Sequence, residues 1–379
     1  MENEIREAVT KFESLLRQQL ERQERMEHAA PEKNFAGMKT ITVGLIDGDG
    51  IGPIIMKQAE RVLEKLLSDD IASGRIVLKK IEGLTIENRL ALGKAVPDDV
   101  LAAIKTCDVL LKGPTTTPKG GTLESANVTL RRELDLYANV RPVTVPEEGI
   151  DWIFFRENTE GEYALGSRGV ELPGKLTMDF KVTTDAGTRR IAKAAFDYAR
   201  ANGKKNVAIV TKANIMKKTD GMFSRIAHEV AAEYPEIEAD DWYIDIMTAN
   251  LVNPAVRSKF QVFLLPNLYG DIITDEAAQI QGDVGTAGSA NIGGQYAMFE
   301  AIHGSAPRKI EAGEGDYANP ASILKAAELM LRHIAMTDKA DRLGDALALC
   351  LEKEKRVVVT GHRDGATCAA FTDYLLEKL

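Results

Sequence analysis

Cysteine is scarce: Cys107, Cys350 and Cys368 are the only three in 379 residues. They are too few and too scattered for a disulfide-stapled secreted domain, and no two of them form CxxC. No uncharged apolar run approaches the roughly 20 residues that cross a bilayer. The amino terminus opens on Glu2, Glu4 and Glu7 rather than on an apolar or basic targeting segment, so the expectation is a cytoplasmic protein off the membrane. Basic residues are also outnumbered, 48 to 57, for a formal charge of −9, which argues against nucleic acid as a partner. The five histidines, His28, His228, His303, His333 and His362, show no zinc-ligand spacing.

With 44% hydrophobic and 28% charged residues, the chain has the composition of a soluble enzyme large enough for about two domains. Val9, Phe12, Leu16 and Leu20 recur at helical intervals among charges. Residues 1–37 therefore read as a helical extension whose stripe either docks on the main body or pairs with a partner subunit. Beyond it, short apolar runs at 41–46, 76–81, 109–112, 152–155, 207–210 and 262–265 alternate with helical patterns, as over 186–201. That alternation indicates an α/β fold.

Several clusters could carry chemistry. Gly48-Asp49-Gly50-Ile51-Gly52 makes a tight turn, but Pro53 stands where a dinucleotide fingerprint requires glycine, so a Rossmann fold is not indicated. The stretch 113–142 reads as an ordered loop in which Ser125, Asn127, Arg131, Arg132 and Arg141 suit a polycarboxylate or phosphate; an exposed arginine-rich helix is the other reading. Arg156 follows an apolar run, and Tyr163, seven residues on, is either a proton donor or a packing residue. Lys212 exits another run and could act as a base, or lie on the surface. Asp271 and Asp275, one helical turn apart, would repel without a cation between them. With Asp245 they would make an all-oxygen site for Mg²⁺ or Mn²⁺. Small residues dominate 285–293 and 303–307, where ligand-contacting backbone and a structural loop are both consistent.

Seven strings in order now come together: GDGIGP at 48–53, KGPTTTP at 112–118, RENTEGEY at 156–163, TKANIMKKTDG at 211–221, NLYGDIITD at 267–275, GSANIG at 288–293 and HGSAP at 303–307. From Ile41 to Leu379 the chain resembles the isocitrate/3-isopropylmalate dehydrogenase family of metal-dependent decarboxylating dehydrogenases, and its Ser125-Ala126-Asn127-Val128 segment resembles the isocitrate branch. The resemblance implies two interlocked domains with a shared cleft: a large one from 38–142 and 288–379 with the cofactor loops, and a small one from 143–287 with catalytic, metal and dimer-forming elements. It also implies a homodimer with shared active sites and a tricarboxylate or related 2-hydroxy acid as substrate.

On the family pattern, Ser125, Asn127, Arg131, Arg141 and Arg156 would bind substrate, and Tyr163 and Lys212 would be catalytic. Asp245, Asp271 and Asp275 would hold the metal, with Lys212 and Asp245 coming from the neighbouring subunit. Thr115, Asn214, Gly285, His303, Gly304, Ser305, Ala306, Arg308, Lys309 and Asn319 would line the cofactor. The expected reaction is NAD-dependent conversion of isocitrate to 2-oxoglutarate and CO₂, a step of the tricarboxylic acid cycle. Alternatives are NADP as cofactor, homoisocitrate or 3-isopropylmalate as substrate, and an anion-binding regulatory subunit without turnover. Arg308, Lys309 and Arg363 could accept a 2′-phosphate, which Glu311 would oppose.

Overall fold

A computed structural model describes residues 2–118, 120–121, 123–166, 168–282 and 287–379. Helix α1 (Glu2–Glu27) comes first, then β1 (Ile41–Ile46), α2 (Gly52–Leu66), α3 (Ser68–Ala72), β2 (Ile76–Lys80), α4 (Ile86–Leu92), α5 (Asp98–Ile104), β3 (Val109–Lys112) and α6 (Ala126–Glu133). The middle holds β4 (Ala138–Val145), β5 (Ile150–Glu157), β6 (Val170–Leu172), β7 (Leu176–Met178), α7 (Asp185–Ala201), β8 (Asn206–Thr211), α8 (Thr219–Ala231), β9 (Glu238–Tyr243), α9 (Ile244–Leu251), β10 (Val262–Leu265) and α10 (Asn267–Gln281). The last stretch holds β11 (Gly288–Ile292), β12 (Ala297–Ala301), α11 (Pro307–Glu311), α12 (Ala321–His333), α13 (Thr337–Ala348) and α14 (Cys368–Lys378).

The chain divides into two units, Met1–Pro31 with Tyr137–Ile280, and Glu32–Leu136 with Gln281–Leu379. In the first unit, β5, β10, β8 and β9 run parallel in that order, and β4 lies antiparallel along β5. Because β4 pairs with β5 from Ala138 to Val145, residues 138–142 group with this unit rather than with the stretch before them. Parallel strands covered on both faces need near-continuous apolar sequence, which β10 (VFLL) and the core of β5 (WIFF) supply. Phe154 and Phe263 stack at 4.3 Å between their centroids, with Trp152 edge-on to both, and each such buried ring contributes roughly 1.5–3 kcal/mol.

In the second unit, β2, β1, β3 and β12 run parallel in that order and β11 is antiparallel to β12. The segment 288–293, expected as a loop, is largely this buried strand. Its Gly288 is required by packing, since a Cβ there would lie 2.5 Å from the Ala326 nitrogen of α12. The expected loop over 113–142 likewise contains α6 and most of β4; the run of prolines and glycines that suggested a loop ends at Gly121, and Pro142 lies within β4.

Helix α1 packs in the first unit through the flank of its apolar stripe that carries Leu15 and Arg22. Leu15 is buried and Phe12 lies 5.3 Å from Phe180, while the apolar stripe itself, Val9, Phe12, Leu16 and Leu20, stays 45–58% exposed. Among the described residues no helix is long and apolar enough to cross a membrane.

Candidate active site

Strand β5 ends in Arg156 and Glu157, both buried. A guanidinium is affordable there because Asn267, the first residue of α10, accepts from Nε at 3.0 Å and Nη2 at 2.6 Å, while Nη1 donates to Asp271 Oδ1 at 2.5 Å. The stem of Arg156 fits because α10 carries Gly270 beneath it, where a Cβ would come within 2.6 Å of Arg156 Cγ. Tyr163 donates its hydroxyl to Asp271 Oδ2 at 2.7 Å, and its ring centroid lies 5.3 Å from the Arg156 guanidinium carbon. On β4, buried Arg141 gives Nη1 to Thr274 Oγ1 at 2.7 Å and Asp275 Oδ1 at 2.9 Å, while its buried Nε has no hydrogen-bond partner among the described residues. Two arginines, two carboxylates and a phenol therefore meet along one face of α10.

The donor set suits a hard divalent ion. Asp271 and Asp275 stand one turn apart with side chains 38% and 64% exposed, although their arginine partners are buried. Among the described residues no third His, Cys, Asp or Glu completes a metal cluster. Asp245, expected as the third ligand, opens α9 and accepts from Lys212 Nζ at 2.5 Å, which holds its carboxyl below the usual range. Lys212 itself is fixed through its backbone. Its N–H donates to Asp220 Oδ2 at 2.8 Å, and buried Lys181 holds Asp220 Oδ1 at 2.6 Å.

In the second unit, Ser125 precedes α6, Asn127 accepts from Thr115 Oγ1 at 3.2 Å, and Arg131 gives Nη2 to Glu300 Oε1 at 3.2 Å, leaving its buried Nε without a hydrogen-bond partner among the described residues. Glu300 also receives Lys112 Nζ at 3.1 Å and Asn291 Nδ2 at 2.9 Å. Burial opposes its ionisation, but the two cations win and hold the carboxyl at about 2. The Gly48–Gly52 turn serves packing: a Cβ at Gly48 would lie 2.2 Å from the Pro114 carbonyl oxygen, and one at Gly50 2.0 Å from that of Ser305. Asp49 locks this corner, accepting from Ile86 N and Thr116 N at 2.7 Å each, and Thr116 Oγ1 meets Ser305 Oγ at 2.7 Å.

Ala306 sits at φ 44 just before α11, and His303 Nδ1 lies 3.1 Å from the Gly304 carbonyl oxygen. Asn319 Oδ1 accepts from Ala321 N at 2.9 Å at the head of α12. Lys309 donates to the Gly361 carbonyl, and Arg363 donates to that of Ala312 at 3.0 Å; Arg308 and Asn214 are exposed. Gly285 lies outside the described residues.

A family model described as isocitrate/isopropylmalate dehydrogenase matches residues 42–375. The chain belongs to that family. It is therefore a dehydrogenase by descent, and its α/β architecture is that of the isocitrate/isopropylmalate dehydrogenases. Mitochondrial NAD isocitrate dehydrogenase subunit 2 of Schizosaccharomyces pombe is 37% identical over 355 residues, covering 92% of this chain and 89% of the relative. NADP isocitrate dehydrogenase of Rickettsia prowazekii is 41% identical over 328 residues, covering 84% of this chain and 64% of the relative. The crystal structure of isocitrate dehydrogenase from Methylococcus capsulatus superposes with a TM-score of 0.78 at 34% identity, over 89% of this chain and 99% of that one. Dependence on NAD(P) and a divalent metal comes with the family.

Several dehydrogenase residues escaped the sequence reading. Asn267 lies within NLYGDIITD, but nothing local marks it as the acceptor for Arg156, which is 111 positions away. Lys112 and Glu300 sit in otherwise apolar strands, and a charge in such a strand is the signal that would have paired them.

Proposed function

We propose that this dehydrogenase oxidises and decarboxylates isocitrate to 2-oxoglutarate and CO₂. The observation that carries the reading is Arg141 and Arg156 gathered with Asp271, Asp275 and Tyr163 on one helix face, with a buried Arg141 Nε that has no hydrogen-bond partner among the described residues. Fork-shaped guanidinium groups beside outward-reaching carboxylates suit a substrate with several carboxylates and a cation.

Arg141 and Arg156 would grip substrate carboxylates, with Arg131, Ser125 and Asn127 as further anion contacts. Asp271 and Asp275 would hold Mg²⁺ or Mn²⁺, with Asp245 contributed by the partner of a homodimer. When bound, the cation supplies charge stabilisation at the substrate oxygen and the nicotinamide supplies the hydride acceptor. Lys212, which like Asp245 would come from that partner, takes the hydroxyl proton as hydride leaves the carbon bearing that hydroxyl for the oxidised cofactor. Loss of CO₂ leaves the electron pair of the broken bond on the adjacent carbon, and Tyr163 delivers the proton that quenches it. The sum is isocitrate and oxidised cofactor giving 2-oxoglutarate, CO₂ and reduced cofactor.

NAD is the preferred reading of the cofactor, because Lys309 and Arg363, two of the three cations that could hold a 2′-phosphate, are engaged by backbone carbonyls, and Glu314 lies 3.8 Å from Arg363. The NADP reading is favoured by the 41% identity to the Rickettsia prowazekii enzyme. A panel of isocitrate, homoisocitrate and 3-isopropylmalate with Mn²⁺ and each cofactor tests both points. The expected result is the highest kcat/KM for isocitrate with NAD. A preference for another acid overturns the substrate assignment, and a preference for NADP overturns the cofactor assignment.

A further inference from the structure

Arg22 belongs to none of the motifs above, yet from α1 its guanidinium reaches the interior of the first unit. Nη1 donates to Glu160 Oε1 at 3.0 Å and Nη2 to Thr159 Oγ1 at 3.0 Å. The Arg22 side chain is 17% exposed and that of Glu160 3%. Two carboxylates share this pocket. Glu157 accepts from Thr159 N, Thr159 Oγ1 and Glu160 N at 2.6–2.9 Å, and Glu160 accepts from Thr184 N at 2.9 Å and from the Thr184 hydroxyl. The wall is shaped to the charge, since a Cβ at Gly187 would lie 2.2 Å from Glu160 Oε1. Arg190 of α7 faces the pocket too, donating to Thr159 Oγ1 at 3.2 Å over the Tyr137 ring.

The pocket connects with the substrate arginine in two steps. Asn267 Nδ2 donates to the Glu160 carbonyl oxygen at 3.1 Å, and Asn267 Oδ1 is the acceptor for both Nε and Nη2 of Arg156. Displacing Glu160 therefore moves the amide that sets the plane of the guanidinium.

We propose that Arg22 is a positioning residue for Arg156: α1 latches onto the buried Glu157–Glu160 pair and so holds the end of β5 and the Asn267 side chain in register. Without Arg22 a buried carboxylate loses its counter-charge, which a buried site tolerates poorly, and the segment 157–160 either takes up a proton or opens to water. Burial and the neighbouring Glu160 charge already push Glu157 up to about 7, so the need for Arg22 grows as pH rises.

The inference rests on Arg156 binding substrate, as proposed above. The test compares the full chain with Arg22→Ala, Arg22→Lys, the double variant Arg22→Ala/Glu157→Gln and Arg6→Ala, an exposed change on the same helix. It reads isocitrate oxidation from about pH 6 to pH 9 together with amide hydrogen exchange of residues 156–163. Arg22→Ala is expected to raise the isocitrate KM roughly tenfold at high pH, and less at low pH, with kcat within about threefold. Arg22→Lys and the double variant recover most of the loss, Arg6→Ala behaves as wild type, and exchange over 156–163 quickens only in Arg22→Ala. An unchanged KM in Arg22→Ala, or no recovery in the double variant, overturns the latch while the isocitrate reading stands. If the wild-type chain does not oxidise isocitrate, the functional reading fails instead; the exchange data then decide the latch, and unaltered protection in Arg22→Ala overturns it.

Discussion

Tyr163 donates its hydroxyl to one oxygen of Asp271 at 2.7 Å while Arg156 holds the other at 2.5 Å. The carboxylate proposed to bind the cation thus also fixes the proposed proton donor, so metal binding and protonation are mechanically joined. Tyr163→Phe keeps the ring and removes the proton. It is expected to lower kcat by roughly a hundredfold while the isocitrate KM stays within about threefold, measured as 2-oxoglutarate formation under saturating Mn²⁺.

Asp275 reaches outward from α10 and is matched by buried Arg141. Asp275→Asn keeps the shape and removes the charge, so the Mn²⁺ concentration for half-maximal activity should rise at least about tenfold. Because buried Arg141 loses this counter-charge, the melting temperature should also fall, so the metal requirement is the deciding readout. A large melting shift with an unchanged metal requirement would mean that Asp275 serves only to neutralise Arg141.

The Lys112–Glu300–Arg131 cluster sets a different expectation. Lys112 is buried, and burial pulls its ammonium below its ordinary value, while Glu300 is held at about 2. A carboxyl depressed from its usual 4.5 stabilises the fold above that value, and the stabilisation is lost as pH falls from 4.5 towards 2. Lys112→Met leaves Glu300 with one cation fewer and should cost about 3–5 kcal/mol in denaturant unfolding at neutral pH.

His333 supplies a second acid-sensitive group. Its ring lies 5.2 Å from that of Phe35 and 5.5 Å from that of Phe299, and burial lowers its pKa to about 4. The unfolded chain binds this proton near pH 6.5 and the folded chain does not, so stability falls as pH drops from 6.5 to 4, by about 3 kcal/mol in all. His333→Phe should flatten that part of the stability curve in urea titrations; an unaltered slope would mean that other groups cause it.

The contrast between α10 and its partners shows what the sequence could express. Asp271 and Asp275 lie one turn apart in a single string, so their common face was legible before any fold was known. Arg141 and Arg156 meet them across more than a hundred positions, and no local spacing encodes such a meeting. The apolar parallel strands β1, β3 and β10 were legible because burial on both faces demands unbroken apolar runs. Strand β11 was not, because its Gly288 meets α12 closely and, with buried Ser289, imitates loop composition. In α1 the helical period was plain, but the apolar stripe remains exposed, and attachment runs through Leu15, Phe12 and the charged Arg22.

The most direct measurement follows uniformly ¹³C-labelled isocitrate by NMR with the purified full chain, Mn²⁺ and NAD. The account predicts stoichiometric labelled CO₂ and 2-oxoglutarate with matching NADH, and their loss in Arg156→Met. Labelled isocitrate left intact by the wild-type chain under those conditions, with NADP substituted as well, would contradict it.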